Sequence, residues 1–485
     1  MFTGKKRTFW IIAGLVILSF SLGVFITKAQ QPAGDLFGNL RLFSEVLSLL
    51  KNQYVVEVDT QKLIYGAIKG MLVSLGDPYT HFMEPQAYKN LQVETQGSFG
   101  GLGIEIDLEP LTKQLIVVSP IEGTPAERAG IKAGDKIVEI EGKSTAEITL
   151  SEAVDKMRGP KGTQVTITIR REGVDEVLHF TITRDVIKLK GVKSICILDG
   201  NIGYLRITTF NQNVGRELEE ALNSLEKQSM KGLILDMRNN PGGLLDQAVE
   251  VANKFISRGV IVSTKGRSHQ EIKYFARPES AHPYFPLIVL VNRGSASASE
   301  IVTGAIKDNK RGLVLGTRTF GKGSVQSVIQ LEDGAGVAIT TAKYYTPSGI
   351  CIQDTGIFPD IEVEDAFISE DREENEFMYI LKRNNCFVAF AQKKGKMNPS
   401  EFKLDDAGIN LFSEILKERN IDSTRQKLIK CKEIIERETK VEIARLISEE
   451  QALQISLSLD PVVRRALDLM KGAELLKTVN SEGQK

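Results

Sequence analysis

The stretch Gly312 to Leu331, GLVLGTRTFGKGSVQSVIQL, decides the fold. It opens on a short apolar strand, reaches Gly316, and after four further residues arrives at Gly321 and Lys322, the spacing of a phosphate-binding loop. Such a loop needs Ser or Thr directly after its lysine to reach magnesium, and a helix whose N-terminus faces the phosphates. Gly323 holds that position instead. The next segment, SVQSVIQLEDGAGVAITTAKYY, alternates like two strands joined by a turn and has no helical face. No nucleotide is expected here, and Lys322 needs another use.

A partner for that lysine lies upstream, in NRGSASASEIVTGAIKDN, Asn292 to Asn309. Three serines sit among small residues between an apolar strand and an amphipathic helix. A serine at such a turn is exposed, and the first helical N–H groups beside it can stabilise an oxyanion. The same pattern also fits a plain helix start, with Ser297 as the cap and Glu300 completing a capping box. This segment alone leaves both readings open.

Working outward, 485 residues exceed one ordinary hydrophobic core, so several domains are expected. A hydrophobic fraction of 42%, a charged fraction of 26% and zero formal net charge describe globular material, not a nucleic-acid binder. The four cysteines, Cys196, Cys351, Cys386 and Cys431, are far apart with no CxxC pair, and no HExxH occurs among the four histidines. Neither a metal nor another cofactor is expected.

At the N-terminus, Lys5, Lys6 and Arg7 precede the uncharged segment Phe9 to Thr27. As a helix its 19 residues span roughly 28 Å, about one bilayer core. Basic residues on the near side keep that end in the cytoplasm and export the remainder of the chain. TKA before Gln30 is a modest cleavage site and the apolar run is long for a signal peptide, so an uncleaved single anchor is expected, with the remaining domains outside the cytoplasmic membrane.

The rest divides by pattern into an anchor and linker (1–35), a helical domain (36–96), a strand-rich domain (97–187), an α/β core (188–363) and a helical C-terminal region (364–485), an α+β multidomain chain. In the helical part, Leu42, Phe43, Val46, Leu47 and Leu50 share one face. In the strand-rich part, Thr149 and Glu152 form a capping-box pattern ahead of a helix carrying Leu150, Ala153, Val154 and Met157. In the core, KGLILDMR, LIVLVN and GLVLG alternate with helical segments.

The strand-rich region resembles a PDZ domain through GGLGIEI (Gly100–Ile106), SPIEGTPAERAGIKAGDKIVEIEG and the helix after them. The resemblance implies a peptide groove in which glycines let backbone N–H groups converge on a terminal carboxylate and a free strand edge accepts an extended tail. Gly101, Leu102, Gly103 and Ile104, with Val154 and Met157 from the helix, are the expected groove residues, suited to apolar C-termini.

GSASASEI and TFGKGSVQ, together with ILDMRNNPGGLL, resemble the carboxyl-terminal processing (tail-specific) protease family of Ser-Lys peptidases, whose PDZ domain precedes a crotonase-like protease core. The match runs from about Leu40 to Val363 in the same order. It implies Ser297 as nucleophile, Lys322 as general base 25 residues on, and Gln326 as the group orienting the lysine. An amine takes a hydroxyl proton only when burial lowers its pKa, and a loop flanked by Phe320 and glycines suits that. Oxyanion donors would be the N–H of Ala298 and one from the NNPGG turn, Gly242 or Gly243, although that turn also reads as a plain strand-to-helix connection. The competing class is a PDZ scaffold that binds tails without cutting them. A penicillin-type hydrolase would need an SxxK pair, absent at Ser297.

Two features stay open. Arg158, at the end of the PDZ helix, is either an ordinary helix-end cation or a regulatory contact between tail binding and cleavage. The C-terminal region matches the family mainly in LDPVVRRALDLMKG, Leu459 to Gly472, and reads as an oligomerisation element or as helices packed on the core.

Overall fold

A computed structural model describes residues 36–109, 112–267, 271–364 and 371–482, with side chains as far as 472. The apolar segment Phe9–Thr27 lies outside them. Among the described residues no helix is long and apolar enough to cross a membrane. The chain forms two compact units, the second beginning at Pro85.

The first unit holds α1 (Leu36–Gln53), α2 (Thr60–Val73) and β1 (His81–Met83). Asp59 starts α2 by accepting the N–H groups of Gln61 and Lys62. The expected helix is present as α1, but none of its residues is buried, and Leu42 and Val46 are 60% and 48% exposed. The helical stretch 36–96 is therefore divided: its last helix, α3 (Pro85–Gln96), belongs to the larger unit.

In that unit α3 leads through β2 (Ser98–Gly101) into a small sheet of β3 (Ile104–Leu108), β4 (Leu115–Pro120), β5 (Lys136–Ile140), β6 (Lys143–Ser144), β7 (Gln164–Arg170) and β8 (Leu178–Thr183). A short helix, α4 (Pro125–Ala129), and the longer α5 (Leu150–Met157) pack on it, and β9 (Asp185–Lys188) returns to pair with β2. Strand order β3-β4-β5-β7-β8 leaves β3 at an edge. The capping box of α5 is formed as the sequence predicts, with Glu152 N–H donating to the Thr149 hydroxyl and Thr149 N–H to the Glu152 carboxylate.

The core is built on a sheet ordered β10 (Val192–Leu198), β11 (Ile202–Ile207), β12 (Gly232–Asp236), β15 (Leu287–Val291), β16 (Leu313–Gly316) and β19 (Ile361–Glu362), parallel from β11 onward. Every residue of β12 and β15 is buried, as their unbroken apolar runs require. Leu233, Leu235, Val289 and Val291 face a layer of α6 (Val214–Lys227), α7 (Leu245–Asn253) and α8 (Ala298–Asp308). Beside this layer lie β13 (Val260–Gly266), β14 (Ile272–Phe275), β17 (Ser324–Gln330) and β18 (Gly336–Tyr345), paired β17-β18-β13-β14.

The C-terminal region serves two purposes. Helices α9 (Arg372–Arg383), α10 (Cys386–Lys394), α11 (Asp406–Glu418), α12 (Arg425–Lys430) and α13 (Lys432–Arg445) surround a core of their own that includes Phe377, Phe390, Phe412 and Ile435. The last two, α14 (Glu449–Leu459) and α15 (Pro461–Glu482), return to the main sheet. There Leu457, Val462, Val463, Ala466 and Met470 cover Ile234, Ile288, Leu290 and Leu315 on the opposite face.

Candidate active site

Both loops singled out in the sequence emerge at the carboxyl ends of neighbouring parallel strands, where such sheets place their ligands. After β15 the chain turns through Asn292–Ser297 into α8; after β16 it runs through Thr317–Gly323 into β17. Two of the three serines have structural roles. The Ser295 hydroxyl donates to Met237 O (2.8 Å) and accepts Asn292 N–H, while the Ser299 hydroxyl donates to Asn240 O (3.0 Å). Ser297 lies between them at φ 54°, ψ −112°, a conformation non-glycine residues rarely adopt, with a cost of about 1–3 kcal/mol. Its backbone is not that of an ordinary N-cap, which is extended, although the capping box with Glu300 that the sequence offered is formed.

One buried carboxylate ties the loops together. Glu300, fully inaccessible on the first turn of α8, accepts Ser297 N–H (2.8 Å) and Lys322 N–H (2.9 Å) on one oxygen, and Gly321 N–H (2.7 Å) and the Thr319 hydroxyl (2.5 Å) on the other. Sequence reasoning saw only the first of these bonds, as half of a capping box. Burial pushes the Glu300 carboxyl above its ordinary value against the pull of these four donors. Burial likewise pushes the Lys322 amine below the ordinary lysine value, and the Glu300 charge opposes it. The lysine loop is held from its other side by residues 352–356: a Cβ on Gly323 would sit 2.1 Å from Gln353 N, so only glycine fits there.

Gln326 lies on β17 beside a bulge between Val325 and Gln326. Its side-chain NH2 donates to the hydroxyls of Ser324 (2.8 Å) and Thr340 (3.2 Å), which leaves its amide oxygen as the acceptor those bonds do not use.

The NNPGG turn abuts the serine. Asn240 anchors it through Nδ2 to Ile207 O, and its carbonyl accepts both Ala296 N–H and the Ser299 hydroxyl. Gly242, at φ 102°, approaches so closely that an added Cβ would lie 2.8 Å from Ser297 Cβ and 2.9 Å from Ala298 N. Its own N–H donates to Asn240 Oδ1 (2.9 Å), so of the two expected oxyanion glycines it is the one already engaged. Among the described residues no hydrogen bond uses the N–H of Ala298 or Gly243. Next to the loops a cavity of about 620 Å³ is lined by Arg293, Thr317, Arg318, Thr319, Phe320 and Glu362.

In the strand-rich domain the expected groove residues separate by burial. Ile104 on β3 and Val154 on α5 are half-buried, whereas Leu102 and Met157 are 3% and 6% exposed and belong to the domain's core. Among the described residues no hydrogen bond uses the N–H of Leu102 or Gly103. A Cβ on Gly103 would fall 2.5 Å or less from Thr124 Cγ2 and Cβ, so this turn requires glycine. Arg158 is engaged: its guanidinium lies 4.6 Å from the Phe99 ring centroid and donates to Asn90 Oδ1 on α3 (3.0 Å). The C-terminal end of α3 in turn meets the core, where Thr95 O accepts Gln212 N–H and Gln96 O accepts Asn213 Nδ2.

Family models match the chain in three segments. The model of peptidase family S41 matches residues 201–363, a PDZ domain model matches 116–171, and the model of the activating protease CtpB N-terminal domain matches 24–87. The carboxy-terminal-processing protease of Bartonella bacilliformis is 46% identical over 367 residues, covering 74% of this chain and 83% of that protein. The carboxy-terminal processing protease CtpA of Bacillus subtilis is 36% identical over 365 residues, covering 74% and 78%. A solved photosystem II D1 C-terminal processing protease is 36% identical, covering 68% of this chain and 95% of that one, with a TM-score of 0.40. A PDZ domain joined to an S41 core defines a PDZ-bearing protease. The chain belongs to the carboxyl-terminal processing protease family.

Proposed function

We propose that the chain is a membrane-tethered serine endopeptidase that captures protein C-termini in its PDZ groove and cleaves them with a Ser297–Lys322 dyad. The observation that carries this reading is the Glu300 bridge, which fixes the backbones of Ser297 and Lys322 to the same carboxylate. Lys322, with its pKa lowered by burial, takes the Ser297 proton as the hydroxyl attacks the scissile carbonyl, and returns it to the leaving amine. The amide oxygen of Gln326 receives the lysine amine and orients it. The N–H groups of Ala298 and Gly243 receive the oxyanion, with Gly242 supplying the close approach between them. Substrate flanking the scissile bond occupies the adjoining cavity.

In the groove, the N–H groups of Leu102 and Gly103, presented by Gly101, hold the terminal carboxylate, while the tail pairs with β3 and rests its apolar side chains against Ile104 and Val154, over a floor of Leu102 and Met157. Arg158 links the groove to the core through α3 and is the regulatory contact. The segment Phe9–Thr27 anchors the chain in the cytoplasmic membrane with these domains on its outer side.

Labelling with a serine-reactive fluorophosphonate tests the central claim. The wild-type chain should be labelled and should cleave an unfolded model substrate, and Ser297→Ala should do neither. Equal labelling of both proteins refutes the nucleophile assignment. A wild type that binds tails but neither cleaves nor labels is the non-catalytic scaffold.

A further inference from the structure

The proposed function leaves the C-terminal helices without a task, yet one of their carboxylates reaches the active-site scaffold. Asp460 joins α14 to α15. Its Oδ1 starts α15 by accepting the N–H groups of Val462 (2.9 Å) and Val463 (3.2 Å). Its Oδ2 accepts Arg238 Nη2 at 2.7 Å, across 222 residues of sequence.

Arg238 is 6% exposed and held from several directions. Its side chain bonds both oxygens of Asp236, at 2.7–3.1 Å, and its carbonyl accepts Arg206 Nη2. Asp236 in turn accepts the buried Tyr204 hydroxyl. Immediately after Arg238 comes the Asn239–Gly243 turn, in which Asn240 O accepts the Ala296 N–H and the Ser299 hydroxyl. The turn therefore has the Asp236–Arg238–Asp460 cluster at its start and the Ser297 loop against Asn240 O, with further support from Asn292 on Asn239 and from Phe210 on either side of Gly243.

We propose that Asp460 is a positioning residue for peptide cleavage: through Arg238 it sets the Asn239–Gly243 turn against Ser297. This rests on the peptidase reading of Ser297. Oxyanion donors act only when preorganised, and a displacement of about 1 Å near a reacting centre costs about 100-fold in rate. The role is separable from folding. In Asp460→Asn, Arg238 keeps Asp236 as its counter-ion and the amide oxygen still caps α15, but the amide NH2 meets the guanidinium and the bond between them is lost.

The test uses the full chain in four forms: wild type, Asp460→Asn, Asp460→Ser and Met470→Ala. Met470 packs α15 on the sheet and is 5% exposed, so its truncation loosens the same helix without touching Arg238. For each form kcat and KM are measured, with affinity for a peptide aldehyde and for the matching product peptide. The Ser297 hydroxyl adds across the aldehyde carbonyl, its oxygen bonding the carbon and its proton passing to the new hemiacetal oxygen, which then sits at the oxyanion donors.

Asp460→Asn should lower kcat by about 10- to 100-fold while KM changes less than about twofold. Aldehyde affinity should fall in parallel, and product-peptide affinity should hold. Met470→Ala should lower the melting temperature without this split. If Asp460→Asn does not fold, Asp460→Ser, whose hydroxyl retains the cap but not the reach to Arg238, carries the same expectation. An active wild type with unaffected kcat in the folded Asp460 variant overturns this inference alone, as does an equal kcat loss in Met470→Ala. A wild type that neither cleaves nor is labelled at Ser297 overturns the peptidase reading and this inference with it.

Discussion

Glu300 has two oxygens and four donors, so its acceptor-only chemistry matters more than its size. In Glu300→Gln an amide NH2 replaces one oxygen and faces two of the Ser297, Lys322, Gly321 and Thr319 donors. Each buried donor left unpaired costs about 1–3 kcal/mol, so the variant should melt lower and, with both loops shifted, lose about 100-fold in kcat. Thermal unfolding and peptide cleavage measured together check this, and unchanged values in both would remove Glu300 from the scaffold. Lys322 supplies a pH signature of definite sign. Its folded pKa is lowered by burial, so activity should rise with pH as the amine loses its proton, with a midpoint below the ordinary lysine value. Between that midpoint and the ordinary value the unfolded chain binds more protons, so this residue's contribution to stability also rises with pH there. A flat rate profile from acidic to mildly alkaline pH, with the fold intact, would count against an amine base. The loops that carry Ser297 and Lys322 were legible in the sequence because a short motif surrounds each of them. The second role of Glu300 was not, since three of its four donors come from a loop about twenty residues away.

Among the elements, β3 was expected from the PDZ resemblance and α5 from its capping box, and both form. Their burial was less readable, because a single glycine-rich turn sends Leu102 inward while leaving Ile104 along the groove. The edge position of β3 predicts that peptides ending in Ala, Val or Leu bind as free acids more tightly than as amides, since only the acid offers a carboxylate to the Leu102 and Gly103 N–H groups. Calorimetry giving equal affinities would remove carboxylate capture. Arg158 bridges α5 to α3 through Asn90, and α3 meets the core beside Asn211–Asn213. Arg158→Ala should therefore slow cleavage of substrates whose tails fill the groove, by roughly 5- to 150-fold for a coupling of about 1–3 kcal/mol, while leaving tail affinity intact. Unchanged cleavage of such substrates would make it an ordinary helix-end cation.

For the whole molecule, the apolar segment Phe9–Thr27 predicts that the full chain stays with membranes through alkaline carbonate washing, whereas a chain starting after residue 35 is released; release of both would remove the anchor. The main sheet carries a different lesson. The unbroken apolar runs of β12 and β15 require cover on both faces, and the helices between the strands account for one. The other is covered by α14 and α15, separated from the sheet's last strand by a helical body with its own core. By itself the sequence determined the family, the strands and helices of the core, and the places of the serine and lysine loops, because hydrophobic period, turn chemistry and motif spacing are local properties. Only the tertiary structure decided that one carboxylate joins the two loops and that Asp460 grips Arg238. The Glu300 and Asp460 contacts depend on which distant side chains share a buried space, and no local pattern encodes that, whereas the Gly242–Asn240 bond is a local turn contact between residues two apart.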